Sequence, residues 1–228
     1  MQITKTTKAR TGGFTLVEMI GVLAIIAILT SLLIPKIFQV INDAKISNAL
    51  VSYNSAKAAA AAHYGKWGGF RDASGGSLTF NGGVSEDWDD VLVSGGYLET
   101  PFAVKIGNGQ QGATSGSRLR VVDISSLTSS SSVTAGDSDT SGSYCLTENT
   151  NTTSVPHVDT TGSYLVEAVI PGVSIQDAVE LNRRIDGAAA GFGQQTWTNN
   201  VTADFTGRVK WQKGSGGEAT VYMYIAHR

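Results

Sequence analysis

The chain has 228 residues, of which 41% are hydrophobic and 16% charged, and its formal net charge at pH 7 is −2. Its one cysteine, Cys145, excludes an intrachain disulfide, so stability must come from packing, a metal or contacts between subunits. No nucleic-acid partner is predicted, because the short basic pairs Arg118/Arg120 and Arg183/Arg184 form no basic stripe and are interpreted as solvated faces.

The N-terminal segment joins a short basic stretch to a long apolar run. Lys5, Lys8 and Arg10 precede residues 14–34, in which Glu18 is the sole charged residue. A helix of this length spans about 30 Å of hydrocarbon and can cross a bilayer once. The positive-inside rule then keeps the N-terminus in the cytoplasm and exports the chain that follows the run. The sequence therefore predicts a single-pass protein of the inner (cytoplasmic) membrane.

Glu18 is the residue of this run that requires a partner. An acid in the hydrocarbon costs roughly 2.5 to 3.5 kcal/mol on insertion scales, so an intramembrane carboxylate usually has a functional counter-charge. The small pair Gly12-Gly13 precedes the run, whereas an ordinary secretory signal carries its small-residue cleavage site after the apolar region. Cleavage at this pair leaves the helix attached and creates a new amine close to Glu18.

A basic leader, residues 1–13, is followed by Phe14-Thr15-Leu16-Val17-Glu18-Met19-Ile20 at the start of the apolar helix. This arrangement resembles the class III signal of type IV pilins and type II secretion pseudopilins. The resemblance implies that a prepilin peptidase cuts between Gly13 and Phe14 and methylates the new amine. It also implies that Glu18 pairs with the Phe14 amine of a neighbouring subunit during assembly, and that Pro35 kinks the helix. From the residues alone, the amine of the same chain is an equal candidate, since positions four apart share one helical face.

Small residues recur along the apolar run at intervals of three and four positions. This spacing favours close approach between neighbouring helices in a membrane, where no hydrophobic effect drives association. The residues concerned are Gly21, Ala24, Ala27, Thr30 and Ser31.

Over residues 35–64 the pattern becomes amphipathic, which predicts that the helix continues with one face covered by a domain. Glycines at 65, 68 and 69 are expected to end the helix, and His63 is expected on the surface near that end. The apolar positions of this half are Ile37, Val40, Ile41, Ala44, Leu50, Tyr53, Ala56, Ala60 and Tyr64.

Residues 65–228 are predicted to form one extracytoplasmic, β-rich globular domain. A helix is predicted over Ile175–Asp186 between the cap Ser174 and the stop Gly187, and another over 86–93 after a capping Ser85. The predicted strands are 119–124, 164–170, 207–212 and 219–226, the last two forming an antiparallel hairpin. The fold class is α+β: a long N-terminal helix, half membrane-embedded and half amphipathic, packed on a C-terminal antiparallel sheet. This is also the pilin fold that the resemblance implies.

Ser, Thr, Gly, Asn and Asp dominate residues 125–163, which predicts an exposed surface loop. Sequon patterns at Asn151 and Asn200 are interpreted as solvated loop positions. Asp137 and Asp139 are the calcium candidates of this loop, because calcium prefers oxygen ligands from flexible acidic segments. Neither they nor the acids at 87–90 match an EF-hand, so no cofactor is predicted.

No catalytic motif is apparent, since the three histidines lack metal-ligand spacing and no GxSxG, P-loop or HExxH pattern occurs. The prediction is a non-enzymatic filament subunit that is processed by prepilin peptidase, stored in the inner membrane and assembled with identical or related subunits by pilus or secretion machinery. It would be displayed at the cell surface or in the periplasm.

Two alternatives stay open. A type II secretion pseudopilin is favoured by Trp88, Leu92, Gly95-Gly96-Tyr97-Leu98 and Pro101, which resemble the Leu/Gly/Leu/Pro segment of such proteins, although the Asp-Pro-Trp-Gly that usually follows is missing. The alternative of another class is a monomeric membrane-anchored binding domain that uses its first helix only as a tether.

Overall fold

The structure is a computed structural model that describes residue 13 and residues 15–81, 84–85, 87–108, 116–123, 144, 164–187, 203–204, 207–214 and 216–228. The described residues form two compact units, divided between Asp43 and Ala44. Several predictions concern residues outside this part of the chain: cleavage before Phe14, the calcium candidates Asp137 and Asp139, Cys145 and the two sequons.

The described part of the chain has three helices and a six-stranded sheet in which every pair of neighbouring strands is antiparallel. The strand order is β1-β2-β3-β6-β5-β4. In chain order the elements are α1 (Leu16–Trp67), β1 (Val84–Ser85), α2 (Trp88–Ser94), β2 (Arg118–Asp123), β3 (Tyr164–Val173), α3 (Ile175–Asp186), β4 (Ala203–Asp204), β5 (Val209–Lys213) and β6 (Ala219–His227). The predicted α+β class, with a long N-terminal helix and an antiparallel sheet, is confirmed.

Helix α1 has 52 residues and continues through Pro35. It ends three residues later than predicted, where Gly68 adopts φ of +66° and donates its N–H to the Tyr64 carbonyl at 2.8 Å, the usual role of a C-terminal glycine. Its buried residues begin only at Ile46. They are Ile46, Ala49, Tyr53, Ala56, Ala59, Ala60 and His63.

The predicted apolar stripe of residues 35–64 is therefore partly wrong. Ile37, Val40, Ile41 and Tyr64 are between 37 and 56% exposed, whereas Tyr53, Ala56 and Ala60 are buried as expected. Periodicity identifies the face of a helix that is apolar, but it does not indicate where along the helix a domain begins to cover that face.

The sheet presents one face to the second half of α1. Tyr53 links the two elements by donating its hydroxyl to the Tyr224 carbonyl of β6 at 2.6 Å. The inner-face residues that pack in the same core are Leu119, Val121, Val166, Ala168, Ile170, Val209, Trp211, Val221, Met223 and Ile225.

Helix α3 and the last hairpin form where the sequence predicts them. Ser174 accepts a hydrogen bond from the Asp177 N–H at 3.1 Å, and Gly187, with φ of +89°, follows the last helical residue. In the hairpin, Val209 faces Met223 and Trp211 faces Val221 across β5 and β6.

Helix α2 begins later than predicted. Ser85, the expected cap, lies in β1 and pairs with Val121 of β2, so it cannot cap a helix. Asp87 takes the cap position with φ of 56°, and Trp88, which is fully buried, is the first helical residue. A short strand pairing thus overrides the capping signal of Ser85.

Two aspartates accept hydrogen bonds from backbone N–H groups near the edges of the sheet. Asp89 of α2 accepts from the N–H groups of Phe102, at 3.0 Å, and Leu119 of β2, at 3.4 Å. Asp186 of α3 accepts from the N–H groups of Arg208 and Val209, at 2.9 and 3.0 Å, where β5 begins. Only the two-residue strands β1 and β4 lie beyond β2 and β5 in the described sheet.

Candidate functional site

The N-terminal end of α1 is held by a reciprocal pair of side chains. Thr15 precedes the first helical residue, and its carbonyl accepts the first intrahelical bond from Met19 at 3.2 Å. The Thr15 hydroxyl accepts from the Glu18 N–H at 3.3 Å, while Glu18 Oε2 accepts from the Thr15 N–H at 2.8 Å and from the Thr15 hydroxyl at 2.7 Å. This is a capping box, and it places the Glu18 carboxylate at the positive end of the helix dipole.

Sequence reasoning identified Glu18 but missed the contribution of Thr15. The signal was present, because a threonine followed three positions later by a glutamate ahead of an apolar run is the pattern of a capping box. Gly13 is exposed, whereas Phe14 is outside the described residues. The structure therefore brings Glu18 together with Thr15, and the predicted pairing of Glu18 with a Phe14 amine stays a prediction.

An apolar surface covers the first half of α1. None of the described residues from 15 to 43 is buried, and the large hydrophobic side chains among them are between 44 and 77% exposed. The described part of the chain contains one helix that is long and apolar enough to cross a membrane, and this is α1. This surface consists of Leu16, Val17, Met19, Ile20, Val22, Leu23, Ile25, Ile26, Ile28, Leu29, Leu32, Leu33, Ile34, Ile37, Phe38, Val40 and Ile41.

The small residues of this half have room around them. A Cβ atom built on Gly21 would meet no atom within 4 Å, so packing within the chain does not require a glycine there. Ser31 satisfies its hydroxyl by donating to the Ile28 carbonyl at 2.8 Å, a common arrangement inside apolar helices. These observations leave the small positions available for contact with other helices, and the kink predicted at Pro35 remains a prediction.

A buried ionic cluster lies on the sheet face opposite α1, and it overturns the prediction that Arg118 and Arg120 are solvated. Arg118 is only 6% and Arg120 only 8% exposed. Arg120 donates through Nε and Nη2 to Glu167 Oε1 at 2.8 and 2.7 Å, and Tyr144 donates its hydroxyl to Glu167 Oε2 at 2.6 Å. Burial, followed by the charge of Glu167, raises the pKa of Tyr144 well above its usual value, so the phenol stays protonated.

His63 is also buried, contrary to the expected surface position. Its ring lies 5.1 Å from Trp88 and 5.3 Å from Tyr97, both in edge-on geometry, because the end of α1 is covered by α2 and the turn that follows it. Neither ring nitrogen has a hydrogen-bond partner among the described residues. Burial, with a smaller contribution from the charge of Lys66, lowers the pKa of His63 below its ordinary 6.5.

The part of the chain that the structure describes contains no group of three or more His, Cys, Asp or Glu residues placed to hold a metal ion. Asp89, one of the acids that the sequence placed in a helix's first turn, is buried and bonded to two backbone N–H groups. The geometry of α1 is thus the strongest functional feature of the described residues.

Comparisons with curated proteins and with solved structures give no match to this chain. A family model does match its N-terminal end. The model is the prokaryotic N-terminal methylation motif, and it covers residues 8–34, which include Gly13, Glu18 and the membrane-length part of α1. The chain therefore carries the prepilin-cleavage motif that characterises type IV pilins and pseudopilins.

Proposed function

We propose that this protein is a structural subunit of a type IV pilus-like filament, cleaved by prepilin peptidase and assembled through α1. The observation that carries the proposal is the exposed apolar surface of α1 with one carboxylate, Glu18, in its first turn, inside the matched motif. Such a surface requires lipid before assembly and other helices afterwards, because water would solvate it at a large free-energy cost.

The capping box indicates how Glu18 is satisfied before assembly. In a single chain, Thr15 supplies two donors to the carboxylate, so the charge is not left without hydrogen bonds at the membrane surface. Cleavage between Gly13 and Phe14 adds a positive amine four positions before Glu18. A neighbouring amine then offers Glu18 an ion pair in a dry environment, where charge pairing is much stronger than in water.

The remaining parts of the proposal follow from this arrangement. The basic leader keeps the N-terminus cytoplasmic, and residues 44–228 lie outside, at the surface or in the periplasm. The protein acts by assembling rather than by catalysis. The pseudopilin alternative stays open, because the matched motif occurs in both pilins and pseudopilins and the burial of Trp88 and Leu92 in the domain core is compatible with either.

The decisive experiment compares Glu18→Ala and Glu18→Gln with the unmodified protein in its own cells. We expect both variants to be processed, with a methylated Phe14 as the first residue in mass spectrometry. We expect both to lose at least about nine-tenths of the sheared surface filaments, since an interaction worth about 1.4 kcal/mol already changes an equilibrium tenfold. Glu18→Gln retains the size of the side chain and removes only its charge.

Two outcomes would contradict the proposal. Abundant normal filaments from Glu18→Ala would show that the carboxylate is not used in assembly, as expected for a simple membrane tether. A native polypeptide that begins at Met1 and is recovered only as monomers would show that the chain is neither processed nor polymerised.

A further inference from the structure

Two arginines converge on the short glycine-containing segment that follows α1. Strand β6 ends next to this segment, where the main chain of Arg228 exchanges two hydrogen bonds with Tyr164, at 2.9 and 3.1 Å. A Cβ atom built on Gly69 would lie 2.8 Å from Arg228 Nη1 and 4.0 Å from Arg71 Nε. The two guanidinium groups, which are far apart in the sequence, therefore share one small surface.

Two contacts fix the position of the Arg228 side chain. Its Nη1 donates to the Gly68 carbonyl at 2.6 Å, and its guanidinium carbon lies 5.9 Å from the centre of the Tyr64 ring. A cation is favoured at this place, because the last carbonyl groups of a helix lack intrahelical partners and carry partial negative charge. The same contacts restrict the rotation of the side chain, so it loses less conformational entropy when it binds a ligand.

Arg71 is held by its backbone, whereas its guanidinium is available. Its carbonyl accepts the indole N–H of the buried Trp88 at 3.1 Å. Among the described residues, no carboxylate forms an ion pair with the guanidinium of Arg71 or of Arg228. Asp72 is the nearest acid in the sequence, but its carboxylate accepts from the N–H and the hydroxyl of Ser74, both at 2.9 Å. Asp72 thus stabilises its own turn.

The positive charge of this surface exceeds the negative charge that the helix end supplies. The C-terminal end of a helix carries roughly half a negative elementary charge, whereas each guanidinium carries a full positive charge. Lys66, in the last turn of α1, adds a third cation, and its ammonium lies over the rings of Trp67 and Tyr97 at 4.8 and 5.9 Å. Neighbouring cations repel one another, and an anion bound between them replaces this repulsion by attraction.

The hydrogen-bond donors of the two arginines match an oxyanion. A guanidinium presents several N–H donors in a planar fork, and one bond, from Arg228 to Gly68, is made by the two groups among the described residues. Such forks bind phosphate oxygens in pairs, and a phosphate monoester carries about two negative charges at neutral pH. Arg228 is exposed and Arg71 is half-buried, so an ion can reach both of them from solvent.

We propose that Arg71 and Arg228 together bind a phosphate-type oxyanion, with Tyr64 positioning Arg228. The ligand is a phosphate group, either as the free ion or as a monoester on a larger molecule. The site belongs to the globular domain and uses neither Glu18 nor the apolar surface of α1. The inference therefore holds whether or not the protein forms a filament.

The test uses the isotope-labelled full-length protein in a non-ionic detergent and follows the side-chain Nε–H signals of its arginines by NMR. Inorganic phosphate is the probe, and chloride at the same ionic strength corrects for screening. Arg183 is the matched control in the same spectrum, because it is exposed but pairs with Glu180 at 2.6 Å. We expect saturable shifts of Arg71 and Arg228 with one common dissociation constant, and no saturable shift of Arg183.

Arg71→Gln and Arg228→Gln each remove one half of the site. Each should weaken phosphate binding at the remaining arginine by about tenfold or more, since a charge is lost together with its hydrogen bonds. Arg183→Gln should leave the dissociation constant unchanged. Circular dichroism checks that each variant is folded. If Arg228→Gln fails to fold, Arg71→Gln alone tests the site, because the hydrogen bond of Arg71 within the domain is made by its backbone.

Glycerol phosphate, measured in the same way, distinguishes the two sources of the ligand. Saturable binding of both compounds supports a phosphate group carried by a larger molecule, and binding of inorganic phosphate alone supports the free ion. An unchanged dissociation constant at Arg71 in Arg228→Gln would overturn the proposal, because the two arginines would then act as separate surface charges. The absence of a saturable shift with either compound would overturn it as well.

Discussion

The two halves of α1 belong to one continuous helix yet have opposite surroundings. From residue 15 to residue 43 the described residues are all exposed, and their large side chains are mostly Leu, Ile and Val. From Ala44 to Trp67 one face is buried, and most of that face is alanine. Residue size, and not only hydrophobicity, therefore distinguishes the exposed half of this helix from the half whose face is buried in the domain core.

Alanine forms most of the buried face in the second half of α1. Ala49 and Ala60 are fully buried, and Ala56 and Ala59 are at most 4% exposed. With four methyl groups along the contact, the larger side chains of the stripe must fit specific sites, because protein interiors are close-packed. Tyr53 does this by bonding to β6, and His63 by packing against Trp88 of α2 and Tyr97 of the turn after it.

We expect the largest effect on the free energy of unfolding for Tyr53→Ala. This change removes a buried ring and the hydrogen bond to the Tyr224 carbonyl, and it should lower the free energy of unfolding by about 3 to 5 kcal/mol. Leu29→Ala, in the first half, should change it by less than about 0.5 kcal/mol, since Leu29 is 61% exposed. Chemical unfolding of the mature chain in detergent, followed by the fluorescence of the buried Trp88 and Trp211, measures both. Equal losses for the two variants would remove the distinction between the halves.

The neighbouring residues Ala60 and Ala61 allow a buried and an exposed position to be compared within the second half of α1. Ala60→Leu must force a larger side chain into the contact with the sheet, and we expect a loss of about 1 to 3 kcal/mol. Ala61→Leu points the same side chain to solvent, because Ala61 is exposed. It should be neutral to within about 0.5 kcal/mol. If Ala60→Leu were tolerated as well as Ala61→Leu in the same unfolding assay, the tight packing of the buried face of α1 would be wrong.

The smallest expected effect is a pH dependence of the free energy of unfolding that arises from His63, near the C-terminal end of α1. Because burial lowers the pKa of His63 in the folded domain, the unfolded chain binds this proton more tightly. Stability from His63 is therefore full above pH 6.5 and is lost as the pH falls toward the lower folded pKa, by at most about 1.4 kcal/mol per pH unit. Lys66 and Tyr97 are the titratable groups near this ring in the described part of the chain.

The matched variant for this prediction is His63→Phe, which keeps an aromatic ring between Trp88 and Tyr97. Its free energy of unfolding should vary less between pH 5 and 7 than that of the unmodified protein. Parallel pH profiles for the two proteins would show that His63 is not the titrating group.

Local signals made much of the fold predictable from sequence. Ser174 and Gly187 bracket α3 because a side-chain cap and a left-handed glycine act on adjacent backbone groups. The alternation of Val209 and Trp211 with polar neighbours likewise specifies the last hairpin. The membrane-length run and Glu18 stand out because so few residues interrupt the apolar pattern.

Burial of polar residues was not predictable in the same way. The sequence predicts surface positions for the polar residues His63, Arg118 and Arg120, yet all three are buried. His63 contacts Trp88 and Tyr97, which lie far from it in the sequence. Glu167, which pairs with Arg120, is 47 positions away. The role of Thr15, by contrast, is predictable from sequence, because a capping box joins residues only three positions apart.

The carboxylates of Asp89 and Asp186 have a consequence for crowding. In the proposed function, subunits stored in a membrane would reach high local concentrations, at which exposed sheet edges favour lateral aggregation through their unpaired backbone groups. By occupying backbone donors of Leu119 and Val209, the two acids leave fewer groups to which a foreign strand can bind. In the proposed function, exchange of subunits between the membrane and the filament would then depend on contacts between helices, which can separate without breaking a sheet.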